Sequence, residues 1–496
     1  MKSERESGIL LHITSLPSPG GIGTLGQAAY DFADFLKASG ITLWQVLPIG
    51  PTGYGDSPYQ SSSTHAGNPL LIDGEMLEKE GIVSGVQPPR PPKDPCRADF
   101  QQVKAEKAQL LQRAFEQSYH KLEPEVNAFR AAQGWVEDYA LFEAAREHFE
   151  FAPLDAWPDK ALRMRQPQAL ADWREKLASR IDYFAFVQYL FDRQWEKLRF
   201  YCNMNGIKLL GDVPIYVAGD SADTWVDPQV FRLDADRRPV KVAGVPPDYF
   251  SQDGQLWGNP CYDWKAMKKE GYAWWVKRMA TMARRFDMVR LDHFIGFAHY
   301  YAVDYGAPNA RVGKWKKGPG KALFRVLERE LPQLRIVAED LGVQSPQVHR
   351  LLKWSGFPGM KVLQFSFGSG PKDPGLPANV KKNCAYYTGT HDNDTTLGWW
   401  NSASDQERKL AAKVLGTKKD KQVVQAMIKA VLASRARIAV IPMQDYLGLD
   451  TWARMNLPGS VGGGNWRWRM APGAADEALA RRIAKLNQQA ERGTIQ

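Results

Sequence analysis

The sequence predicts an α/β fold: a (β/α)8 TIM barrel with helical insertions between barrel strands. Eight short apolar runs, rich in β-branched residues, are spread along the 496-residue chain, and helical patterns lie between many of them. Short continuous apolar runs are typical of strands that are buried on both faces, as in a parallel sheet. Eight strands alternating with helices favour a closed barrel. Periodicity alone leaves an open doubly wound sheet as the alternative.

The predicted elements follow from these runs and from helix start and stop signals. In chain order, the predicted strands occupy residues 8–11, 42–47, 208–213, 288–292, 335–339, 361–365, 384–388 and 437–442. Apolar residues at helical spacing predict helices at 27–39, where Gly40 is a stop signal, at 322–330 and at 345–354. An amphipathic pattern at 475–489 predicts a C-terminal helix.

The domain organisation follows from one long gap between the second and third predicted strands. Residues 74–200 contain a proline-rich stretch at 88–95 and then helical patterns. We predict a single catalytic barrel over residues 1–496, with 74–200 as a largely helical insertion subdomain. A glycine-rich loop and a helical tail follow the last predicted strand, so we expect no C-terminal β domain.

Composition argues against several classes of partner. The formal net charge is +10, but the basic residues are scattered and no zinc-finger or RNA-binding signature accompanies them, so we expect no nucleic-acid partner. No run approaches the ~20 apolar residues that span a bilayer, and the N-terminus lacks the apolar stretch of a signal peptide. We therefore expect a cytoplasmic protein without a membrane partner. A monomer and a homodimer both stay open.

Metal and cofactor motifs are weak. The four cysteines are widely spaced, without a Cys-x-x-Cys pair, and the eight histidines contain no His-Glu-x-x-His pair. We expect no metal site and no disulfide framework. Gly21, Gly23 and Gly26 match a Gly-x-Gly-x-x-Gly pattern, but no acidic residue follows about 20 positions later in a suitable βαβ context. A tight βα loop is therefore favoured over a dinucleotide site, and we expect no cofactor.

Three acids stand where a barrel places its active site, at the C-terminal ends of strands. Asp292 ends one apolar run, Glu339 ends another, and Asp392 comes just after a third. Retaining chemistry at a glycosidic bond needs a carboxylate nucleophile and a protonated acid about 5–5.5 Å apart. Arg290, two residues before Asp292 on the same strand face, can keep that carboxylate ionised. Each acid alone also fits a helix cap or a loop ligand, and Arg290 fits a structural ion pair.

Ordered motifs around these acids carry a resemblance to a known family. Three of the motifs contain the acids: 289–294 (VRLDHF), 337–342 (VAEDLG) and 387–396 (YTGTHDNDTT). The others are 53–60, 67–70, 211–217, 243–251, 254–260, 454–459 and 465–469. With this ordered set, which covers nearly the whole chain, the sequence resembles the 4-α-glucanotransferases called amylomaltases or disproportionating enzymes, of glycoside hydrolase family 77 in the α-amylase clan.

The resemblance implies an activity and three catalytic roles. Members of the family transfer α-1,4-glucan segments from one α-1,4-glucan to another, or to glucose, by a retaining double displacement. Asp292 is then the nucleophile that carries a covalent glucosyl intermediate, Glu339 the general acid/base and Asp392 the transition-state stabiliser. The implied partners are α-1,4-glucans and malto-oligosaccharides.

The resemblance also implies substrate-binding residues. Those of the central subsite are Ser57, Tyr59, Asp212, Arg290 and His391. Asp248 and Trp257 lie in a proline-flanked loop that, in the family, folds over the acceptor side. Tyr54 belongs to a family surface where a glucan also rests. Several of these residues also fit structural roles, Asp212 above all, because polar residues at strand ends often make local hydrogen bonds.

Two other functions fit parts of the same pattern. An α-amylase-type hydrolase uses the same acids and differs in letting water replace the sugar acceptor. A non-catalytic glucan-binding protein on the same barrel is a second possibility, against which the presence of all three acids argues. Loops that exclude water and hold an acceptor favour transfer.

Overall fold

The computed structural model describes residues 5–247, 251–342, 345–417 and 419–493. Twelve strands lie in these ranges: β1 (Glu6–Leu10), β2 (Leu43–Gln45), β3 (Lys208–Val213), β4 (Lys241–Val245), β5 (Gln255–Pro260), β6 (Met288–Leu291), β7 (His299–Asp304), β8 (Gly313–Lys317), β9 (Arg335–Ala338), β10 (Gly359–Val362), β11 (Cys384–Tyr387) and β12 (Ile438–Pro442). Eighteen α-helices lie in the same ranges: α1 (Gln27–Ala38), α2 (Gly74–Lys79), α3 (Phe100–Ala132), α4 (Val136–His148), α5 (Lys160–Arg163), α6 (Pro167–Lys176), α7 (Ala178–Met204), α8 (Ala222–Val226), α9 (Trp264–Lys269), α10 (Ala273–Arg285), α11 (Ile295–Ala298), α12 (Lys321–Glu330), α13 (Pro346–Ser355), α14 (Thr396–Ser402), α15 (Asp405–Leu415), α16 (Asp420–Ala433), α17 (Met443–Leu447) and α18 (Glu477–Gln489).

Eight of these strands form a closed parallel barrel in the order β1, β12, β11, β10, β9, β6, β3, β2. β1 pairs with both β12 and β2, and this double pairing closes the sheet. The strands are buried on both faces because side chains fill the barrel and helices cover its outside. The predicted TIM barrel is confirmed, and each predicted apolar run overlaps one barrel strand. The open doubly wound sheet is excluded.

The predicted helices α1, α12, α13 and α18 are present at nearly the predicted bounds. The loop between β1 and α1 is tight: the Gly23 N–H donates to the Thr14 carbonyl at 2.9 Å. A Cβ at Gly23 would lie 1.9 Å from the Ile13 carbonyl oxygen, so only glycine fits this loop. The Gly-x-Gly-x-x-Gly pattern therefore has a structural explanation in the chain path after β1.

The segment between β2 and β3 contains six helices, α2 to α7. The longest, α3 and α7, pack against each other, and α7 also packs against α1 beside the barrel. The Trp195 Nε1–H of α7 donates to the Arg285 carbonyl at 3.1 Å, which ties this helical segment to α10. The helices lie where the insertion was predicted. The division of the chain into one barrel with an insertion subdomain at 74–200 stays a prediction.

A second, smaller sheet was not predicted from the sequence. Its four antiparallel strands are in the order β5, β4, β7, β8. β4 and β5 come from the connection after β3, and β7 and β8 come from the connection after β6. β5 and β8 mix polar and apolar residues, as in Gly313–Lys317 (GKWKK), and therefore lack the continuous apolar runs that identify barrel strands.

The C-terminal segment closes the N-terminal end of the barrel. Described residues after Pro442 form helices, turns and loops, as expected for a chain without a C-terminal β domain. The Asn487 side chain of α18 donates to the Ser39 carbonyl at 2.9 Å. The buried Arg492 donates to four backbone carbonyls, those of Glu6, Leu432, Ser434 and Ala436. Among the helices in the described ranges, none is long and apolar enough to cross a membrane.

Candidate active site

The barrel brings the predicted acids together at the C-terminal ends of neighbouring strands. Asp212 of β3 and Arg290 of β6 are register partners. Asp292 directly follows β6, and Glu339 directly follows β9, which pairs with β6. Because parallel strands end at the same edge, these side chains share the mouth of the barrel.

Arg290 lies between two carboxylates. Its Nη1 donates to both carboxylate oxygens of Asp212 at 2.8 Å, and its Nη2 lies 2.8 Å from Asp292 Oδ1. Burial disfavours the charge of Arg290, but Asp212 and Asp292 together raise its pKa well above the ordinary value. Asp292 is the accessible member of this group, because 26% of its side chain is exposed, whereas the Asp212 side chain is fully buried.

Glu339 is a buried carboxyl with a strongly shifted proton affinity. Burial, together with the neighbouring Asp292 charge, raises the pKa of Glu339 to about 8, although Arg290 opposes the shift. The backbone N–H groups of His293 and Leu341 donate to its two oxygens at 2.7 and 2.8 Å, which fixes its orientation. At neutral pH Glu339 is therefore a carboxylic acid able to give a proton, next to an ion-paired carboxylate.

His293 adopts a left-handed backbone conformation with φ of 50°. Non-glycine residues rarely adopt this conformation and do so at a cost of about 1–3 kcal/mol. This turn comes directly after Asp292 and directs the His293 backbone N–H toward the Glu339 carboxyl group. The strain thus accompanies the contact that orients the buried acid.

Tyr59 and His391 connect the acids into one hydrogen-bonded network. The Tyr59 hydroxyl donates to Asp212 Oδ2 at 2.7 Å and lies 2.9 Å from His391 Nε2. Because a phenol has a single proton, His391 Nε2 must carry a hydrogen and donate to Tyr59. The same nitrogen lies 3.4 Å from Asp392 Oδ2, so the network extends from Asp292 to Asp392.

Asp392 is held by the loop that follows α17. The Asn456 side-chain amide donates to Asp392 Oδ1 at 2.7 Å, and Arg454 Nη2 donates to the Asp392 carbonyl at 2.6 Å. The Asp392 side chain is 43% exposed, so it remains open to a ligand. Asp392 therefore completes a three-acid site at the barrel mouth.

Of the remaining predicted binding residues, Trp257 and Ser57 contact residues of this network or their neighbours. Trp257 of β5 packs its ring edge-to-face against His293, with centroids 4.9 Å apart. Ser57 is half-buried, and its hydroxyl accepts a hydrogen bond from the Tyr59 backbone N–H at 3.3 Å. Tyr54 is 78% exposed and lies outside the network. Asp248 lies outside the described residues.

Sequence reasoning missed several residues of the site. His12 directly follows the first apolar run and is buried; burial, with a smaller effect of nearby His391, lowers its pKa to about 3. The strand-end rule that found the acids applies to His12 equally. Asn456 and Arg454 lie in a motif that was recognised, but no local signal pointed to Asp392 as their partner. Within the described ranges, no group of three His, Cys, Asp or Glu side chains is arranged to hold a metal ion.

A closed barrel with an ion-paired carboxylate beside a buried, protonated acid defines the class of enzymes that process glycosidic bonds with a pair of carboxyl groups. Comparison with known proteins identifies the family. The glycoside hydrolase family 77 model, described as 4-alpha-glucanotransferase, matches residues 11–475, and the chain belongs to this family. It is a glucan-transferring enzyme.

Individual relatives agree with this assignment. A 4-alpha-glucanotransferase of Thermus thermophilus is 44% identical over 99% of this chain and 100% of its own. A chloroplastic/amyloplastic 4-alpha-glucanotransferase of Solanum tuberosum is 41% identical over 97% of this chain and 85% of its own. Among solved structures, an amylomaltase from Streptococcus agalactiae in complex with acarbose aligns with a TM-score of 0.95 and 37% identity, covering 99% of this chain and 100% of the other.

Proposed function

We propose that this enzyme transfers α-1,4-glucan segments from one α-1,4-glucan to another, or to glucose, by a double displacement with retention of configuration. The observation that carries the proposal is the contrast between two neighbouring carboxyl groups. Asp292 is ion-paired to Arg290 and partly accessible, whereas Glu339 is buried with its pKa raised to about 8. Retaining chemistry needs one ionised and one protonated carboxyl.

In the first step, an Asp292 oxygen attacks the anomeric carbon of the donor glucan. Glu339 gives its proton to the glycosidic oxygen, so that the reducing-end fragment leaves as an alcohol. The bond to the leaving sugar breaks as the bond to Asp292 forms, and a covalent glucosyl-Asp292 intermediate results. Arg290 stabilises the ionised nucleophile before the attack.

In the second step, the 4-hydroxyl of an acceptor sugar attacks the same anomeric carbon. The Glu339 carboxylate takes the hydroxyl proton, and the bond to Asp292 breaks. Two inversions give net retention. Asp392 stabilises the positive charge that develops on the ring in both steps, and His391 and Tyr59 bind the same sugar. Ser57 and Asp212 are assigned to this subsite on the family pattern.

The choice of a sugar over water as the acceptor is assigned to the connection that carries Asp248 and Trp257. The Trp257 ring packs against His293, the residue after Asp292, and such an apolar ring can exclude water and stack on a sugar face. Tyr54, which is 78% exposed, offers a separate stacking surface for a longer glucan. These features support transfer over the α-amylase-type alternative.

Incubation with maltotriose tests the proposal. We expect glucose together with a series of longer malto-oligosaccharides, because the enzyme passes glucosyl or maltosyl units between maltotriose molecules. The total number of reducing ends stays constant during transfer and rises during hydrolysis. Net hydrolysis without longer products would support the hydrolase alternative.

The Asp292→Asn variant is the matched control for that experiment. It should bind malto-oligosaccharides but turn over more slowly by about three orders of magnitude or more, because the nucleophile is lost. Unchanged turnover of this variant would contradict the assignment of Asp292, and activity of neither protein would favour a glucan-binding role.

We also propose a cellular location and two possible assembly states for the enzyme. The enzyme is proposed to be cytoplasmic, on the sequence pattern of its N-terminus, and to act on α-1,4-glucans without a cofactor; a monomer and a homodimer are both open. Cell fractionation tests the location. Size-exclusion chromatography with light scattering distinguishes the two assembly states.

A further inference from the structure

The loop that follows α17 makes two hydrogen bonds to Asp392 and one to His391. The Asn456 side-chain amide donates to Asp392 Oδ1 at 2.7 Å, and the Asn456 backbone N–H donates to the His391 carbonyl at 3.0 Å. Arg454 Nη2 donates to the Asp392 carbonyl at 2.6 Å, while Arg454 Nε donates to the Asn456 carbonyl at 2.8 Å. Arg454 and Asn456 thus hold each other as well as His391 and Asp392 in the loop after β11.

These contacts restrict the side-chain conformation of Asp392. Its side chain is 43% exposed and lies in a loop beyond the end of β11, where an aspartate is free to change rotamer. The Asn456 amide occupies Oδ1, so Oδ2 is the oxygen left beside His391, 3.4 Å from its Nε2. One hydrogen bond therefore selects which carboxylate oxygen is available at the mouth of the barrel.

We propose that Asn456 is a positioning residue for the transfer reaction: its amide fixes the Asp392 carboxylate with Oδ2 turned toward the reacting sugar, and Arg454 fixes the backbone beneath it. This inference rests on the proposed role of Asp392 as the stabiliser of the transition state. Misplacing a stabilising group by about 1 Å costs on the order of 100-fold in rate.

The chemistry of an amide suits this task. A neutral donor orients a carboxylate without cancelling the negative charge that must oppose the positive charge on the sugar ring. Asp292 differs, because it contacts the Arg290 guanidinium directly. Among the described residues, His391 and Tyr59 are titratable groups that interact with the Asp392 carboxylate, and the Arg454 guanidinium contacts the Asp392 carbonyl rather than its carboxylate.

Two substitutions of Asn456 test the inference with the full-length enzyme and maltotriose. Asn456→Ala should lower kcat by about 10- to 100-fold with a smaller change in KM, because the contact matters most when charge develops on the ring. Asn456→Asp should in addition move the acid limb of the pH–kcat profile to higher pH. A second carboxylate in place of the amide disfavours ionisation of Asp392.

A control in the same loop separates positioning from folding. Thr451 Oγ1 donates to Asp394 Oδ2 at 2.8 Å, so Thr451→Val removes a comparable side-chain hydrogen bond to a different carboxylate. It should keep kcat and the pH profile close to those of the unchanged enzyme. Thermal unfolding of each variant reports the folded fraction, and Asn456→Ser serves as a milder change should the alanine variant fold poorly.

The outcomes distinguish this inference from the proposed function. If folded Asn456→Ala and Asn456→Asp keep the kcat and acid limb of the unchanged enzyme, while Asp392→Asn loses activity, the positioning role of Asn456 is wrong and Asp392 keeps its role. If Asp392→Asn itself is fully active, the assignment of Asp392 fails first. A rate loss in the two Asn456 variants, with the acid limb moved only in Asn456→Asp, supports the inference.

Discussion

At the scale of single residues, burial decides which carboxyl carries the proton. Glu339 and Asp292 both neighbour Arg290, yet only Asp292 forms the direct ion pair, whereas Glu339 accepts two backbone N–H groups in a buried position. Burial disfavours a charged carboxylate more strongly than these hydrogen bonds favour it. The result is a carboxyl group whose pKa of about 8 lies near neutral pH, as the proposed role of general acid requires.

Glu339 should set the alkaline limb of the activity profile. Because the first step needs the protonated acid and its pKa is about 8, kcat/KM should fall as the pH rises above that value. Glu339→Gln should lower kcat by about 100- to 10,000-fold, the usual worth of a general acid/base, and the residual activity should lose this limb. Initial rates on maltotriose across pH 5–10 are the measurement, with about half-unit steps.

The exposed Glu330 provides a matched control for this prediction, since it lies on the surface helix α12 and pairs with its neighbour Arg329. Glu330→Gln should keep both rate and profile. An alkaline limb that persists in Glu339→Gln would mean that another group produces it.

The raised pKa of Glu339 also affects the stability of the folded protein. Between pH 4.5 and about 8 the folded protein keeps the Glu339 proton, whereas the unfolded chain loses it. The contribution of Glu339 to stability is therefore lost as the pH rises through that range.

At the scale of elements, the connections after β3 and β6 add residues beside the acids that the barrel strands position. They build the small sheet, and the sheet carries Trp257 on β5 to the His293 ring beside Asp292. The sequences of β5 and β8 mix polar and apolar residues and so differ from the continuous apolar runs of the barrel strands. The acids thus lie at or after the ends of barrel strands, whereas Trp257 comes from the added sheet.

Trp257→Ala should raise the ratio of hydrolysis to transfer. Loss of one aromatic contact, worth about 0.5–1.5 kcal/mol, corresponds to a change of about 2- to 10-fold in the partition between sugar and water. The ratio is measured with maltotriose as the increase in reducing ends per longer product formed. The stability of the barrel should be little affected, because Trp257 is only half-buried.

Trp315 on β8 provides the matched control, because it belongs to the same sheet and is 42% exposed. Trp315→Ala should leave the ratio unchanged. Equal effects of the two substitutions would point to the sheet as a whole rather than to the ring beside His293. An unchanged ratio in Trp257→Ala would remove the acceptor role from this residue.

At the scale of the whole molecule, ion pairs close the end of the barrel opposite the active site. Glu6 of β1 is buried, and its two oxygens accept hydrogen bonds from Lys208 of β3 at 2.9 Å and Arg335 of β9 at 2.8 Å. Neither β3 nor β9 is adjacent to β1 in the barrel. The three side chains therefore span the barrel and tie separate strands together.

Glu6→Gln should destabilise the protein by about 1–3 kcal/mol at pH 7, because two charge-assisted hydrogen bonds weaken at a buried position. Burial raises the pKa of Glu6, but the hydrogen bonds of Arg335 and Lys208 lower it overall. A lowered pKa means that the stabilisation exists above the ordinary value of 4.5 and is lost as the pH falls through the folded-state pKa. Urea unfolding at pH 7 and at decreasing pH measures both effects.

The difference in the free energy of unfolding between Glu6→Gln and the unchanged protein should therefore shrink as the pH falls. Glu477→Gln is the control, since Glu477 forms a surface pair with Arg481 and its side chain is 90% exposed. Exposed pairs contribute little to stability, so this variant should unfold like the unchanged protein. A constant difference between Glu6→Gln and the unchanged protein at all pH values would contradict the ion-pair explanation.

Sequence patterns predicted the eight barrel strands, although periodicity left an open doubly wound sheet as the alternative, and they placed Asp292, Glu339 and Asp392 at the ends of three of these strands. Both conclusions depend on local rules: continuous apolar runs mark strands buried on both faces, and the residue after each run lies at one edge of the sheet. The helices α1, α12, α13 and α18 were predicted for the same reason, because the spacing of apolar residues indicates which side of a helix packs against the core.

Tertiary structure alone decided the protonation of Glu339, the small sheet and the contact between Asn456 and Asp392. Burial of Glu339 depends on strands and loops brought together from distant parts of the chain, and no pattern near position 339 records it. The small sheet pairs strands from two connections, with only weak periodicity in each. Asn456 and Asp392 are 64 residues apart, so their hydrogen bond exists only once β11 and the loop after α17 meet at the barrel mouth.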